Sequence, residues 1–139
     1  GEWKDMLQSM IDERGLQDCV RLNAPTKNIG KEYSESSMIV MSSHYEGFPM
    51  VMIEAMACGL PAVSFDFKCG PKDIIKEGEN GLVVSDGDID GLAEAMVTLM
   101  RDDELRRKMG ENAKRVVETF SEAKVMDKWV RLYEETIAD

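Results

Sequence analysis

Two glutamates stand out in the middle of this chain because the residues around them are mostly apolar. Glu46 and Glu54 are the charged residues of the segment 42–61, and seven residues separate them. Glu54 falls inside an apolar helix that we predict over residues 50–57, with no polar face, and such a helix is buried on all sides. A buried carboxylate costs several kcal/mol unless hydroxyl or N–H donors pair with it. We therefore expect Glu54 to be buried and to bind such donors.

The start of the same helix predicts a different kind of contact. Pro49 suits the first helical position, and Gly47 allows another molecule to approach the backbone closely. The free N–H groups and the positive end of the helix dipole face outward at such a start. The pattern is typical of a site for a phosphate or an electron-rich sugar oxygen.

The elements that must position these residues alternate between helix and strand. Strands with continuous apolar runs belong to parallel sheets that are covered on both faces. The sequence therefore predicts an α/β fold, a Rossmann-like doubly wound parallel sheet with a helical C-terminal tail. The predicted strands are residues 19–22, 38–42, 62–65 and 82–84. The predicted helices are residues 2–14, 29–35 after an Asn28 cap, 50–57, 71–75, 89–100 after an Asp88 cap, 102–117, and a last one capped by Ser121.

Composition narrows the function classes. A chain of 139 residues is long enough for one domain with a real core, and a net charge of −10 argues against binding to nucleic acid or to an anionic membrane surface. Cys19, Cys58 and Cys69 are odd in number and show no CxxC spacing, which indicates reduced thiols in a cytoplasmic protein. A single histidine and no Cys/His cluster predict no metal site.

Three ordered motifs carry a family resemblance. Residues 46–54 resemble the E-x7-E motif of retaining GT-B glycosyltransferases of family 4, also called group 1, and residues 55–61 and 78–84 resemble the two signatures that follow it. The resemblance extends over essentially the whole chain and implies the C-terminal, donor-binding domain of such an enzyme. Residues 69–75 also resemble a subgroup that transfers galactose- or N-acetylhexosamine-type sugars in bacterial surface polysaccharide synthesis.

The resemblance also implies a role for each site residue. It makes Glu46 the catalytic-site residue that contacts the transferred sugar, and Glu54 the residue that holds the ribose hydroxyls. It places Asn23, in the segment 22–25, near the nucleobase. The loop and helix start around the sugar and diphosphate would be Gly47, Phe48, Pro49 and Met50. The donor would be a nucleotide diphosphate sugar, above all a UDP-hexose or UDP-N-acetylhexosamine, the acceptor a glycan or lipid-linked molecule, and neither a cofactor nor a metal is expected.

The same resemblance leads us to expect that residues 1–139 are part of a longer enzyme. The family's C-terminal domain begins with two strands and a basic pair that clamps the diphosphate, and its N-terminal acceptor domain supplies a catalytic-site histidine. We therefore expect the chain alone to transfer no sugar and to self-associate through open sheet edges. The intact enzyme would be cytoplasmic, with peripheral membrane association through the N-terminal domain.

The two glutamates also allow interpretations without sugar transfer. Glu46 could be a solvated loop carboxylate, and Glu54 a structural carboxylate that caps a helix or bonds a lysine. A glycoside hydrolase would need two carboxylates flanking the bond, and the helix-interior position of Glu54 argues against it. A GT-B-type sugar-nucleotide epimerase or a noncatalytic nucleotide-binding module would also be compatible with the sequence. His44 is interpreted as a loop residue with no role in function. Lys72 is interpreted as either a contact of the sugar donor or a solvated surface charge.

Overall fold

Three parallel strands organise the molecule, and their carboxyl ends lie at one edge of the sheet. The computed structural model describes residues 3–68 and 70–137, so Cys69 lies outside the described residues. The strands are β1 (Ile39–Met41), β2 (Ala62–Asp66) and β3 (Gly81–Ser85), in the spatial order β1-β2-β3. Val63 of β2 pairs with Val40 on one side and with Leu82 on the other. The central strand β2 is consequently the most buried of the three.

Helices connect and flank these strands, and three of them begin at capping residues, two of which, Asn28 and Asp88, the sequence predicts. Asn28, Asp88 and Asp102 each accept a hydrogen bond from a backbone N–H in the first turn of their helix. The helices are α1 (Lys4–Glu13), α2 (Ile29–Glu35), α3 (Met50–Ala57), α4 (Pro71–Ile74), α5 (Ile89–Arg101), α6 (Asp103–Ala113), a 3-10 turn (Lys114–Val116), α7 (Val117–Phe120) and α8 (Glu122–Ile137).

Core side chains lie on both faces of the sheet. Alternate residues of β2 point to opposite sides, so that Ala62 packs with Met52 and Met56 of α3, whereas Val63 and Phe65 pack with α5 and α6. The α3 side also includes Ile53, Ile74, Ile75, Ala113 and Val116, and the α5 side includes Phe67, Leu92, Ala95, Leu99 and Met109. Helices on both faces of a parallel sheet are the doubly wound arrangement that the sequence predicts.

Two glycines let α6 approach the chain between α3 and β2. A Cβ atom added to Gly110 would lie 2.3 Å from the carbonyl oxygen of Gly59, which no side chain can tolerate without a backbone shift. Gly59 itself has φ of 90°, the left-handed conformation that glycine adopts at a helix end. The contact between the two backbones therefore sets the distance between α3 and α6.

The structure differs from the predicted elements in two places. The predicted strand 19–22 is absent, because Cys19 and Val20 donate their N–H groups to the carbonyl of Leu16, at 3.0 and 2.8 Å, and form a turn. A strand needs a neighbour to satisfy its backbone, and no strand pairs with this segment within residues 3–68 and 70–137. The predicted helix 102–117 is interrupted by the 3-10 turn, which separates α6 from α7.

The two terminal helices lie at the periphery. α8 forms the predicted helical C-terminal tail and has no buried residue, and α1 buries Ile11 alone among its residues. Within the described part of the chain, none of the helices combines the length and the apolar character needed to cross a bilayer.

Candidate functional site

The loops that follow β1, β2 and β3 meet at the carboxyl edge of the sheet. Residues 42–49 follow β1, residues 67, 68 and 70 follow β2, and residues 86–88 follow β3. Tyr45 forms a parallel backbone bridge with Lys68, which joins the first two loops. In open α/β sheets, ligands bind in the crevice outside the carboxyl ends of the strands. This edge carries Glu46 and the start of α3, and it is the candidate site.

Glu46 is held in place by a neighbouring hydroxyl. The Ser43 hydroxyl donates a hydrogen bond to Oε1 of Glu46 at 2.7 Å, and both side chains are half-buried. The second carboxylate oxygen, Oε2, makes no hydrogen bond within the described part of the chain. A carboxylate oriented in this way has one acceptor atom available for a hydroxyl of a bound molecule.

The start of α3 is only partly free to donate. Met50 donates its N–H to the carbonyl of Phe48 at 2.9 Å, and Met52 donates to the carbonyl of Pro49 at 3.0 Å. The N–H groups of Gly47, Phe48 and Val51 make no hydrogen bond among the residues that the structure describes. These donors can therefore bind an anion, although fewer of them come from the helix itself than the sequence predicts.

Pro49 and Phe48 fix the loop to its surroundings. Pro49 is buried against Gly70, where an added Cβ atom would lie 2.9 Å from Cδ of the proline. Gly70 has φ of 154° and belongs to the loop after β2. Phe48 leaves 47% of its surface exposed and packs against Phe120 of α7, with ring centroids 5.7 Å apart. The loop thus rests on two separate parts of the molecule while one aromatic surface stays accessible.

Glu54 is exposed, so the prediction that α3 is buried on all sides is wrong. Met50 and Val51 are each 53% exposed on the same helix, whereas Met52, Ala55 and Met56 are fully buried. The physical reason is that α3 covers one face of the sheet, and among the described residues nothing covers its outer side. Glu54 therefore faces solvent and has no burial cost to offset.

A tyrosine of α2 orients Glu54. The Tyr33 hydroxyl donates to Oε2 of Glu54 at 3.3 Å and lies 3.5 Å from the carbonyl oxygen of Val51. Tyr33 is 8% exposed, and burial, followed by the nearby charge of Glu54 and the hydrogen bond to it, raises the pKa of the Tyr33 phenol above its ordinary value. The partner of Glu54 is thus a hydroxyl, as expected, but it comes from the protein.

One side-chain pair that crosses this edge was not predicted from the sequence. His44 Nδ1 lies 2.6 Å from Oδ1 of Asp86, and the imidazole ring stacks on Phe65 with centroids 5.8 Å apart and planes 22° apart. Asp86 lies 42 positions after His44. No periodicity or motif relates residues so far apart, and only the topology of the sheet brings them together.

The remaining predicted residues lie in other surroundings. Asn23 lines a cavity of about 660 Å³ whose walls come from α1, Trp3 and the segment 21–25, so its lining shares no residue with the three loops. Lys72 pairs with Asp66 at the end of β2. Within residues 3–68 and 70–137, no three His, Cys, Asp or Glu side chains are grouped so that they could hold a metal ion.

Sequence and structure comparisons relate the chain to known proteins. The sequence profile of the family Glycosyl transferases group 1 matches residues 1–116. The chain is 36% identical over 139 residues to exopolysaccharide phosphotransferase of Streptomyces coelicolor, covering 99% of this chain and 15% of that protein. It is 32% identical over 134 residues to poly(ribitol-phosphate) alpha-N-acetylglucosaminyltransferase of Staphylococcus aureus, covering 96% of this chain and 27% of that protein.

A crystal structure of S. aureus TarM in complex with Fondaparinux, alpha-GlcNAc-glycerol and UDP has the same fold. Its TM-score is 0.89 at 32% identity, covering 94% of this chain and 27% of that chain. The predicted fold class is therefore confirmed. The chain spans less than a third of the length of each of these three proteins.

Proposed function

Because this chain belongs to the family Glycosyl transferases group 1, we propose that it supplies the nucleotide-sugar donor site of a retaining glycosyltransferase of family 4. The donor is a UDP-hexose or UDP-N-acetylhexosamine, and the reaction needs no metal ion. The proposal extends to the intact enzyme, of which these residues form the donor-binding part. The acceptor is a glycan or a lipid-linked molecule of surface polysaccharide synthesis.

The observation that carries this proposal is the pair of hydroxyl-oriented carboxylates on either side of the start of α3. Glu46 is oriented by Ser43, and Glu54 by Tyr33. Glu54 is exposed and retains acceptor capacity, so two adjacent ribose hydroxyls can donate to it. Glu46, nearer the edge of the sheet, is assigned to a hydroxyl of the transferred sugar.

We assign the donor's diphosphate to the backbone between these two carboxylates. The N–H groups of Gly47, Phe48 and Val51 lie between Glu46 and Glu54 in the chain and are available to phosphate oxygens. They stabilise the charge that develops on the diphosphate as the sugar leaves. The net charge of −10 opposes an anionic donor at long range, so short-range hydrogen bonds must supply the affinity.

The relatives support the choice of donor and acceptor class. The S. aureus relative is named as an N-acetylglucosaminyltransferase acting on poly(ribitol-phosphate), and the TarM crystal contains UDP. The S. coelicolor relative is named as a phosphotransferase, but this chain corresponds to only 15% of it. Cys19 and Cys58 are unpaired thiols in the described part of the chain, which favours a reducing, cytoplasmic compartment.

Titration of UDP against the 139-residue chain tests the donor site. We expect weak binding to the wild type, and about five- to tenfold weaker binding to Glu54→Gln, by roughly the 1 to 1.5 kcal/mol that separates a hydrogen bond to a charged acceptor from one to a neutral acceptor. Glu94→Gln, an exposed glutamate on α5, is the matched control and should bind as the wild type does. Equal affinity in Glu54→Gln and wild type would refute the ribose assignment.

A second assay distinguishes a transferase fragment from an epimerase. Incubation of the chain with UDP-N-acetylglucosamine and a glycan acceptor should yield neither transferred sugar nor an epimerised nucleotide sugar, because we assign the acceptor side to other parts of the intact enzyme. Chromatography of the nucleotide products measures both. Turnover to a glycoside would contradict the expected inactivity of the chain, and conversion to a second UDP-sugar would favour an epimerase.

A further inference from the structure

His44 joins the loop after β1 to the loop after β3. Its Nδ1 atom lies 2.6 Å from Oδ1 of Asp86, and its ring stacks on Phe65, which is nearly fully buried at the end of the strand between them. The contact therefore crosses the whole width of the carboxyl edge.

Glu46 follows His44 by two residues, so the histidine contact limits where the glutamate can lie. Further along the loop, the buried Pro49 fixes its other end against Gly70. Between these fixed points lie Glu46, Gly47 and Phe48, which are the groups assigned above to the donor. A loop that is fixed at both ends loses less conformational entropy when a ligand binds.

We propose that His44 is a positioning residue for the donor site, which acts with Asp86 and Phe65 to hold residues 44–49 in the conformation that binds a nucleotide diphosphate sugar. The inference rests on the proposed function of this edge. The pair is largely solvent-exposed, with side-chain exposures of 72% for His44 and 45% for Asp86. The pair therefore contributes little to the stability of the fold. Its effect is to keep residues 44–49 ordered.

The charge of Asp86 allows a positioning role to be distinguished from a purely electrostatic effect on donor affinity. The donor is an anion, so removal of a nearby negative charge strengthens its binding if electrostatics alone decides. If Asp86 instead acts by holding His44, the same change weakens binding. Asp90, an exposed aspartate in the first turn of α5, provides the control, because Asp90→Asn removes the same charge four residues away.

The experiment measures binding of UDP-N-acetylglucosamine, whose phosphates lack the second ionisation of a phosphate monoester. We expect Asp86→Asn to weaken binding about three- to tenfold relative to Asp90→Asn, and His44→Ala to weaken it about three- to tenfold relative to the wild type, by loss of loop order. The double variant should be no weaker than either single variant, because the two residues act as one unit. His44→Gln retains an N–H donor for Asp86 and should recover part of the loss.

A donor-independent measurement accompanies the titration. His44 is the sole histidine of the sequence, so a nuclear Overhauser effect between its ring and that of Phe65 is assignable, and it should disappear in Asp86→Asn. If the wild type binds donor and Asp86→Asn binds as tightly as Asp90→Asn, the positioning role is wrong and the donor site stands. If the wild type binds no donor, the proposed function is wrong and the inference fails with it.

Discussion

Replacement of Tyr33 by phenylalanine separates the orientation of Glu54 from the stability of the fold. The tyrosine ring packs with Ala55 and Leu60, and only its hydroxyl reaches Glu54, at 3.3 Å, and the carbonyl of Val51, at 3.5 Å. Tyr33→Phe keeps the packed ring and removes one oxygen atom. Any change in binding therefore comes from the freed carboxylate.

The contacts of Tyr33 set the expected size of two effects, the loss of stability and the loss of UDP affinity. A side-chain hydrogen bond contributes about 1 kcal/mol to stability. This one is long and reaches an exposed carboxylate that water can hydrate, so we expect it to contribute about 0.5 kcal/mol. For a chain of this size that loss lowers Tm by roughly 2 °C. Immobilising the freed Glu54 side chain when a ligand binds costs about 0.5 to 1.5 kcal/mol, which is about a two- to tenfold loss of UDP affinity.

Thermal unfolding and calorimetric titration of UDP measure the two effects on the same samples. Tyr133→Phe is the matched control, because it removes the same atom from an exposed tyrosine of α8 and should change neither quantity. The double variant Tyr33→Phe with Glu54→Gln should bind UDP as Glu54→Gln alone does. Unchanged UDP affinity in Tyr33→Phe, or fully additive losses in the double variant, would refute the orienting role of Tyr33.

Three further predictions concern the scaffold around the site. The raised pKa of the Tyr33 phenol means that the folded state holds this proton more tightly than the unfolded state does. Its contribution to stability is complete below about pH 10 and is lost as the pH rises further. Between about pH 9 and pH 11, the free energy of unfolding measured with denaturant should therefore fall less in Tyr33→Phe than in wild type. Gly110→Ala should destabilise the fold by about 1 to 3 kcal/mol or more, because its Cβ atom would meet the Gly59 carbonyl. Gly30→Ala, in open space on α2, should instead stabilise the fold by about 0.5 to 1 kcal/mol. Urea midpoints that move in the same direction in both variants would contradict this expectation. Asn80→Ala should lower the free energy of unfolding, measured with urea, by about 1 to 3 kcal/mol. The buried amide of Asn80 accepts from one backbone N–H and donates to one backbone carbonyl in the turn before β3. A loss below about 0.5 kcal/mol would show that water replaces the amide.

Features of the fold that depend on neighbouring residues were predictable from the sequence. The bounds of α3 match the predicted helix 50–57, because an apolar run between a proline and a glycine specifies both ends. The caps Asn28, Asp88 and Asp102 were predictable for the same reason, since a cap bonds N–H groups within three residues of itself. The E-x7-E spacing likewise located Glu46 and Glu54 beside one helix start.

Features that depend on distant residues were not predictable. The strand expected at residues 19–22 required a partner strand, and an apolar segment alone cannot supply one. The exposure of Glu54 depends on which side of α3 other elements cover, whereas an apolar composition describes all sides equally. The contacts of Tyr33 with Glu54 and of His44 with Asp86 span 21 and 42 positions, distances at which only the order of strands in the sheet decides proximity.

The contact between Phe48 and Phe120 has a consequence for how the molecule opens. Phe48 belongs to the loop at the carboxyl edge, and Phe120 is the last residue of α7, immediately before the tail helix α8 begins. Elements that share a packed side chain tend to unfold as one cooperative unit. The hydrogen-bonded amides of Met50 and Met52, which donate to the loop carbonyls, and those of residues 117–120 should therefore exchange their hydrogens at similar rates. A change that loosens the tail should also be detected as faster exchange at Met50 and Met52.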